Sequence, residues 1–563
     1  MQAEAVAEVT PAHLTLLDSP QRWWATCGGI LLLALAVCLP ALERVPLESH
    51  EVLVAQTTRE MAARGDWLLP YFNGVPRLNK PPLSYWLTGL VARLDGTLPN
   101  VLAWQARVVS ALAAVGMVAL TLLLGARLFD RLTAALAGLV MAGSAGVFTF
   151  AHAARPDMLY ALCTSGVLVA AIVQLRRPPS EGLRDWLGAG AVWLAVAAAT
   201  LCKGPQLPVL ALLGVGLQAV IVARGWRAPA RALRVLPGLL GVTLGCGSWW
   251  LVLYLQVDFS QLAGSQLAGA LLLPQLARLG DPYYFYRPLQ LLVPWLPLAV
   301  PGLLLCGLRE ARRDSGWLWW PLLCGCVGLS LGRQYRYFYL LALLLPLVLL
   351  LARAVAVALT ASTPAARWAR PVLWLVLACQ VLLSLGCAGW LLVSGARVGW
   401  LTPVVLSLTL GTALGAGLLA RLRAAEPRLA VLVALGVFNV GLWPGAALTG
   451  VLWSPERYAE DRLARAAAQA ASGATPLVSL GVSPTLMVYA ANRRVPLLAS
   501  AREVVDALAR SPTGRLVLVA RSDRPLQWPA GVSASELTRA HAGGHPNVLW
   551  VLRTERPGRR TPP

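Results

Sequence analysis

Charge is scarce in this chain. Only 13% of its 563 residues are Asp, Glu, Lys or Arg, against about a quarter in a soluble domain. So few charges cannot cover a water-facing surface of this size. With 57% hydrophobic residues and a mean hydropathy of +0.63, a set of soluble domains is excluded, and intrinsic disorder with it. Lysine is scarcer still: of 48 basic residues only Lys80 and Lys203 are lysines. Coding drift would account for the bias, and so would a need for a compact point charge at two places. The net charge of +22 forms no basic stripe or tail, so nucleic acid is not an expected partner. No cysteine spacing suggests a metal site or a disulfide framework. Cys27, Cys38, Cys163, Cys202, Cys246, Cys306, Cys324, Cys326, Cys379 and Cys387 all lie within or at the ends of apolar stretches, as small buried hydrophobes do.

What is present is a succession of apolar runs of bilayer length, about 17–24 residues. They cover Trp23–Ala41, Trp104–Leu124, Leu132–Phe148, Met158–Leu175, Trp186–Leu201, Pro205–Ala223 and Leu236–Val257. Leu291–Leu308, Trp317–Leu331, Tyr337–Leu351, Val372–Ser394, Leu401–Ala420 and Leu429–Val451 follow. The first begins too near the start of a long Trp-flanked segment to be a cleaved signal peptide. With a cytoplasmic N-terminus, the inner loops collect eighteen arginines, from Arg127 and Arg131 to Arg421, Arg423 and Arg428, as the positive-inside bias requires. Leu42–Ala103, Asp258–Gln290 and Trp453–Pro563 then lie outside. In the last of these, helix-like Pro455–Ala471, Pro484–Ala491 and Ala501–Arg510 alternate with strand-like Pro476–Leu480, Val495–Leu498, Arg515–Ala520 and Asn547–Leu552. The expected fold is therefore a polytopic α-helical membrane protein of about thirteen spans, residues 1–452, with a small C-terminal α/β domain, residues 453–563. The expected location is a bacterial inner (plasma) membrane.

Ionisable groups outside the inner loops are functional candidates, because they are costly near a bilayer. Four clusters stand out, all on the predicted outer side. Glu48-Ser49-His50-Glu51 precedes a predicted interfacial helix, Glu51–Arg64. The two glutamates, three apart, suit a general base and its partner, and equally suit a helix N-terminus. Lys80, held by Pro81 and Pro82 ahead of a helix Leu83–Arg93, suits a phosphate, or an interfacial snorkelling lysine. His152, Arg155 and Asp157 share a short loop. Lys203-Gly204-Pro205, Tyr283–Arg287 and Arg333–Tyr337 bring basic and aromatic groups to the arginine-poor side, and Arg333 and Arg336 are read as anion ligands.

The runs Glu51–Met61, Gly65-Asp66-Trp67 and Asn79-Lys80-Pro81-Pro82-Leu83-Ser84-Tyr85-Trp86 resemble the first outer loop of the GT-C glycosyltransferases. The likeness is to the protein mannosyltransferase and aminoarabinose (lipid A) transferase superfamily, family 39-like. It covers about the first 350 residues, and the remainder by architecture alone. It implies an integral-membrane transferase that moves a sugar from a polyprenyl-phosphate donor to a lipid, glycan or protein acceptor, with inversion, at the outer face. In that family an Asp-Glu pair precedes the interfacial helix. Counted back from Arg59-Glu60-Met61, the aspartate's place is His50 and the glutamate's is Glu51. Either a glutamate, Glu48 or Glu51, has taken over the carboxylate role, or His50 is the base, or the chain is inactive; a glutamate ranks first. The resemblance also implies that Lys80, Lys203, Arg333 and Arg336 hold the lipid phosphate, and that Asp157 contacts sugar or acceptor. Tyr283 and Tyr284 would border the prenyl groove, with Tyr337 and Arg59 among the substrate-binding positions. No cofactor is predicted; a divalent cation is left open, without a ligand set. A sugar or lipid flippase, and a non-catalytic GT-C-like scaffold, are the rival readings.

Overall fold

The computed structural model describes residues 19–178, 182–257, 283–293, 295, 314–331, 336–360, 455–523, 526–542 and 545–554, with single positions 371, 375, 436 and 443. The chain divides into two compact units: residues 1–40 with 110–449, and residues 41–109 with 450–563. The boundary expected at residue 452 is thus drawn differently, the first long loop grouping with the C-terminal stretch.

The first unit is helical. Among the described residues, seven helices of the chain are long and apolar enough to cross a membrane: Pro20–Cys38, Ala103–Leu128, Pro156–Leu175, Leu183–Cys202, Gln206–Ala223, Val235–Gln256 and Tyr337–Thr360. Each falls on a predicted span. An eighth is the pair Arg131–Ala142 and Ala145–Ala151, bent by 53°. Gly316–Ser330 is a shorter apolar helix, and Tyr337–Thr360 opens as a 3-10 helix over Tyr337–Leu343. The expected spans Val372–Ser394, Leu401–Ala420 and Leu429–Val451, and nearly all of Leu291–Leu308, lie outside the described residues, as do the arginines of the loops at 309–313 and 421–428. Burial separates core from periphery. In Tyr337–Thr360 83% of the apolar window is buried, whereas in Val235–Gln256 17% is. The latter exposes Leu236, Leu239, Leu240 and Leu244, the surface a lipid-facing helix presents. Helices also approach closely at small residues: a Cβ on Gly214 would stand 2.4 Å from the backbone of Pro321. The chain is a multi-pass membrane protein.

The second unit begins with the helix Ser49–Arg64, which ends at Gly65 in the left-handed region (φ 69°). A two-stranded hairpin follows, β1 Tyr71–Phe72 paired with β2 Val75–Pro76. Its turn residues Asn73 and Gly74 have φ of 56° and 78°, as an Asn-Gly turn with two positive φ angles demands. The Glu60 carboxylate accepts the N–H groups of both, at 2.7 and 2.9 Å. The helix Leu83–Leu94 comes next.

The C-terminal stretch of this unit is α/β. Strands β3 Leu477–Leu480, β4 Leu497–Leu498, β5 Arg515–Arg521, β6 Val532–Ala542 and β7 His545–Thr554 form one sheet in the order β4-β3-β5-β7-β6. β4, β3 and β5 run parallel; β5–β7 and β7–β6 are antiparallel. Alternation along β5 supplies both faces. Val517 and Val519 pack with Leu463, Ala464 and Ala467 of the helix Pro455–Ala470. Leu516 and Leu518 pack with Val504 and Leu508 of the helix Ala501–Ala509. Every predicted strand and helix of the stretch is present. β6 was not foreseen: Ser533-Ala534-Ser535-Glu536 offers little apolar alternation, and the strand sits at the sheet edge with an irregularity between Glu536 and Thr538.

Candidate active site

In the second unit the candidate carboxylates sit at the start of the helix Ser49–Arg64. Glu48 is its N-cap and Glu51 its third residue, and the Glu51 carboxylate accepts the Glu48 N–H at 3.0 Å. The spacing therefore serves the helix N-terminus, but Glu51 does more. It is fully buried and meets Arg107, which opens the helix Ala103–Leu128: Nε donates to Oε1 at 2.8 Å and Nη2 to Oε2 at 3.0 Å. Arg107 is itself 1% exposed. Its remaining donors reach the carbonyls of Leu42, Val45 and Pro46 at 2.7, 2.7 and 3.1 Å, so it shapes the turn leading into Glu48. A second guanidinium, Arg457 of the helix Pro455–Ala470, also binds the Glu51 carboxylate and lies 3.5 Å from that of Glu48. Burial alone would raise the Glu51 pKa; Arg107, then Arg457, outweigh it and hold the group below the ordinary carboxylate value. Glu48 differs, with its side chain 38% exposed. His50 is exposed on the same turn.

Arg59 turns its donors to the chain. Nε and Nη2 donate to the Val101 carbonyl at 3.1 and 2.8 Å, and Nη1 to the Tyr489 carbonyl at 3.0 Å. Its guanidinium lies 3.9 Å from the centre of the Tyr489 ring. Asn73 adds another tie to the C-terminal stretch: its amide donates to the Val495 carbonyl at 2.9 Å and its carbonyl accepts the Val495 N–H at 2.8 Å. Lys80 is half-buried, two residues ahead of Pro82, the N-cap of the helix Leu83–Leu94.

In the first unit Asp157 and Lys203 form a buried ion pair. Asp157 lies in the first turn of the helix Pro156–Leu175, and Lys203 caps the C-terminus of Leu183–Cys202. The Tyr160 hydroxyl fixes the turn after Lys203, donating to the Gly204 carbonyl at 3.0 Å and accepting the Leu207 N–H at 3.1 Å. Lys203 Nζ also lies 4.3 Å from the Tyr339 ring centre and 5.0 Å from that of Phe338, contacts in which ring faces favour a cation. Arg155 lies over Phe338. His152 is buried, with its ring nitrogens 2.9 Å from the Phe148 carbonyl and 3.0 Å from that of Pro40, so its contacts are internal. The two aromatic runs meet, the Arg336 N–H donating to the buried Tyr284 hydroxyl at 2.9 Å. Tyr337 packs edge-on to Phe150, and Tyr283 against Tyr284 and Tyr286. Arg333 lies outside the described residues. Among the described residues, no three His, Cys, Asp or Glu side chains converge as a metal site would need.

Sequence reasoning missed Arg107, Arg457, Tyr160 and Tyr339. Arg107 carried a signal, an arginine at the predicted outer end of an apolar run. Arg457 carried none, being one of several arginines on a polar helix.

The structure superposes on crystal structures of ArnT from Cupriavidus metallidurans, bound to undecaprenyl phosphate and in the apo state. The TM-scores are 0.70 and 0.69, at 18% and 19% identity, over 95% and 94% of this chain and 98% of each of those. The chain shares the fold of these ArnT structures. Residues 79–250 match the dolichyl-phosphate-mannose-protein mannosyltransferase family. An undecaprenyl phosphate-alpha-4-amino-4-deoxy-L-arabinose arabinosyl transferase from Sodalis glossinidius is 28% identical over 303 residues, 51% of each chain. Its counterpart from Yersinia pestis is 25% identical over 310 residues, 52% of this chain and 53% of that one. The matched stretch spans about half the length of these curated relatives.

Proposed function

We propose that the chain is an integral-membrane glycosyltransferase that moves a sugar from a polyprenyl-phosphate donor to a lipid acceptor, in the manner of an aminoarabinose transferase acting on lipid A. The observation that carries the reading is the coincidence of the family match with the lysines. The chain keeps two lysines, and both Lys80 and Lys203 fall within residues 79–250. The relatives named as arabinosyl transferases support it, as does the likeness in fold to a protein crystallised with undecaprenyl phosphate. The arginine-rich loops favour an inner-membrane orientation with Glu48, Lys80 and the C-terminal stretch outside.

The chemistry asks little of an acid. The leaving group is a lipid phosphate, already stable as an anion, and a cation beside it stabilises the charge released as the glycosidic bond breaks. We assign Lys80 to that phosphate. An acceptor hydroxyl needs a carboxylate that can take its proton, whereas an acceptor phosphate needs only to be oriented. Glu48 fits either role because it is accessible. Glu51, buried under two guanidiniums and with its pKa held down, is a poor base, and we assign it to positioning. Arg59 belongs with the scaffold. The Asp157–Lys203 pair, beside Tyr339 and Phe338, offers hydrogen-bond acceptors and ring faces of the kind a sugar contacts.

The test is transfer from a radiolabelled polyprenyl-phosphate sugar to lipid in reconstituted vesicles, with Glu48→Gln, Lys80→Gln and Asp157→Asn compared at equal folded protein. Loss of transfer in all three is expected. Transfer undiminished in all three would remove the reading.

A further inference from the structure

Two cavities open at the arginine-rich end of the first unit. The smaller, about 280 Å³, lies between the ends of the helices Ala103–Leu128 and Pro156–Leu175 and is lined by Arg127, Arg176 and Arg177 with Leu128, Ile172 and Val173. The larger, about 650 Å³, shares Arg176 and adds Gln218 and Asp314. The larger falls within the range of ligand pockets, about 300 to 1,000 Å³, and the smaller just below it, room for a polar headgroup. Arg176 donates to Asp314 at 2.6 Å. Arg127 and Arg177 have no carboxylate partner among the described residues. Other arginines of the same unit are engaged: Arg353 with Asp130 at 2.5 Å, and Arg234 over the Trp186 ring at 4.6 Å.

The lining has two chemistries side by side. Guanidiniums present paired donors that fit a phosphate, and the aliphatic wall continues on the helix surface at Leu123, 42% exposed and one turn before Arg127. A soluble anion would use the first alone. A phospholipid would use both, its phosphate in the cavity and its chains along the apolar helix face. We propose that the two cavities bind the phosphodiester headgroup of an anionic phospholipid, with Arg127 and Arg177 on the phosphate. Gln218 and Asp314 then accept from headgroup hydroxyls. Under the positive-inside orientation this is a lipid of the inner leaflet, where anionic headgroups attract basic pockets between helices. The site is independent of the transfer reaction.

The full-length protein in nanodiscs of phosphatidylcholine doped with phosphatidylglycerol provides the test, with native mass spectrometry counting the lipids it retains. Wild type is expected to retain phosphatidylglycerol about ten-fold over phosphatidylcholine, a preference two arginines at an anionic surface can supply. Arg127→Gln with Arg177→Gln abolishes the preference, or each single change reduces it should the double variant not fold. Arg231→Gln, in the same unit but outside both cavities, keeps it. Inorganic phosphate at millimolar concentration separates the two sources of phosphate. Phosphatidylglycerol that stays bound against it supports the lipid. Thermal stabilisation by phosphate alone, without lipid retention, overturns the lipid occupant. Equal retention of the two lipids, or a preference indifferent to Arg127 and Arg177, overturns the site.

Discussion

Arg107 grips Glu51 through two near-parallel contacts, at 2.8 and 3.0 Å, with both side chains out of solvent. Breaking a buried pair by removing one member costs about 3–5 kcal/mol, and because Arg457 still holds the Glu51 carboxylate the loss of Arg107 should fall toward the lower end. Arg107→Ala should therefore unfold at a much lower temperature, the more so because the carbonyls of Leu42, Val45 and Pro46 lose their donor. An unchanged thermal midpoint in detergent would show that the pair does not hold the turn.

The same pair predicts a pH dependence. The folded-state pKa of Glu51 is depressed, so the folded protein holds its proton less readily than the unfolded chain. The stabilisation is complete above the unfolded carboxylate value, about 4.3, and is lost as pH falls through the lower folded value. Thermal midpoints measured from neutral pH downward should drop in this acid range, and less steeply in Glu51→Gln. Parallel curves for the two proteins would contradict it.

Glu48 and Glu51 should separate in activity. A lost general base lowers the rate by about 10²–10⁴, so Glu48→Gln should cut turnover on that scale with its thermal midpoint near wild type. Glu51→Gln should lower midpoint and turnover together. If Glu51→Gln alone loses turnover at full stability, the roles are reversed.

Asn73 answers two demands, a positive φ and a double hydrogen bond to Val495. Asn73→Gly keeps the first and loses the second, while Asn73→Ala loses both. Each lost hydrogen bond is worth about 0.5–1.5 kcal/mol, and Ala adds backbone strain. Limited proteolysis should cut near Val495 faster in Gly than in wild type, and fastest in Ala. Equal cleavage of all three would dismiss the tie.

Gly214→Ala should destabilise the first unit, because the added methyl meets the Pro321 backbone rather than a side chain that can rotate away. Overpacking of this kind costs about 1–3 kcal/mol. A denaturation midpoint equal to wild type would mean the helices can part freely.

The spans among the described residues were legible because a bilayer demands a length of apolar residues, and length survives any error in packing. The strands of the C-terminal stretch were legible for a similar reason: Val517 and Val519 against Leu516 and Leu518 announce a two-sided strand. β6 failed that test, having little to bury. The hairpin at Asn73-Gly74 had the right turn residues but strands of two residues each, too short to register as a pattern. The site was half legible. Glu48, Glu51, Asp157 and Lys203 were each singled out, but pairing is not a property of spacing alone. Lys203 finds Asp157 across 46 residues, and Arg457 finds Glu51 across 406. Glu51 was one of two candidate bases in the sequence, and its burial under two guanidiniums is what leads us to propose positioning for it instead.

The distance between Glu51 and Arg457 has a consequence for how the protein is made. At about 5–20 residues per second, the ribosome needs about 20–80 s after Glu51 to reach Arg457, the second arginine on its carboxylate. Once Arg107 is made, 56 residues after Glu51, the emerging first loop has that partner but still lacks Arg457, Tyr489 and Val495. Its final shape is thus a late event of biosynthesis, and a nascent chain stalled before codon 455 would carry that loop without its partners.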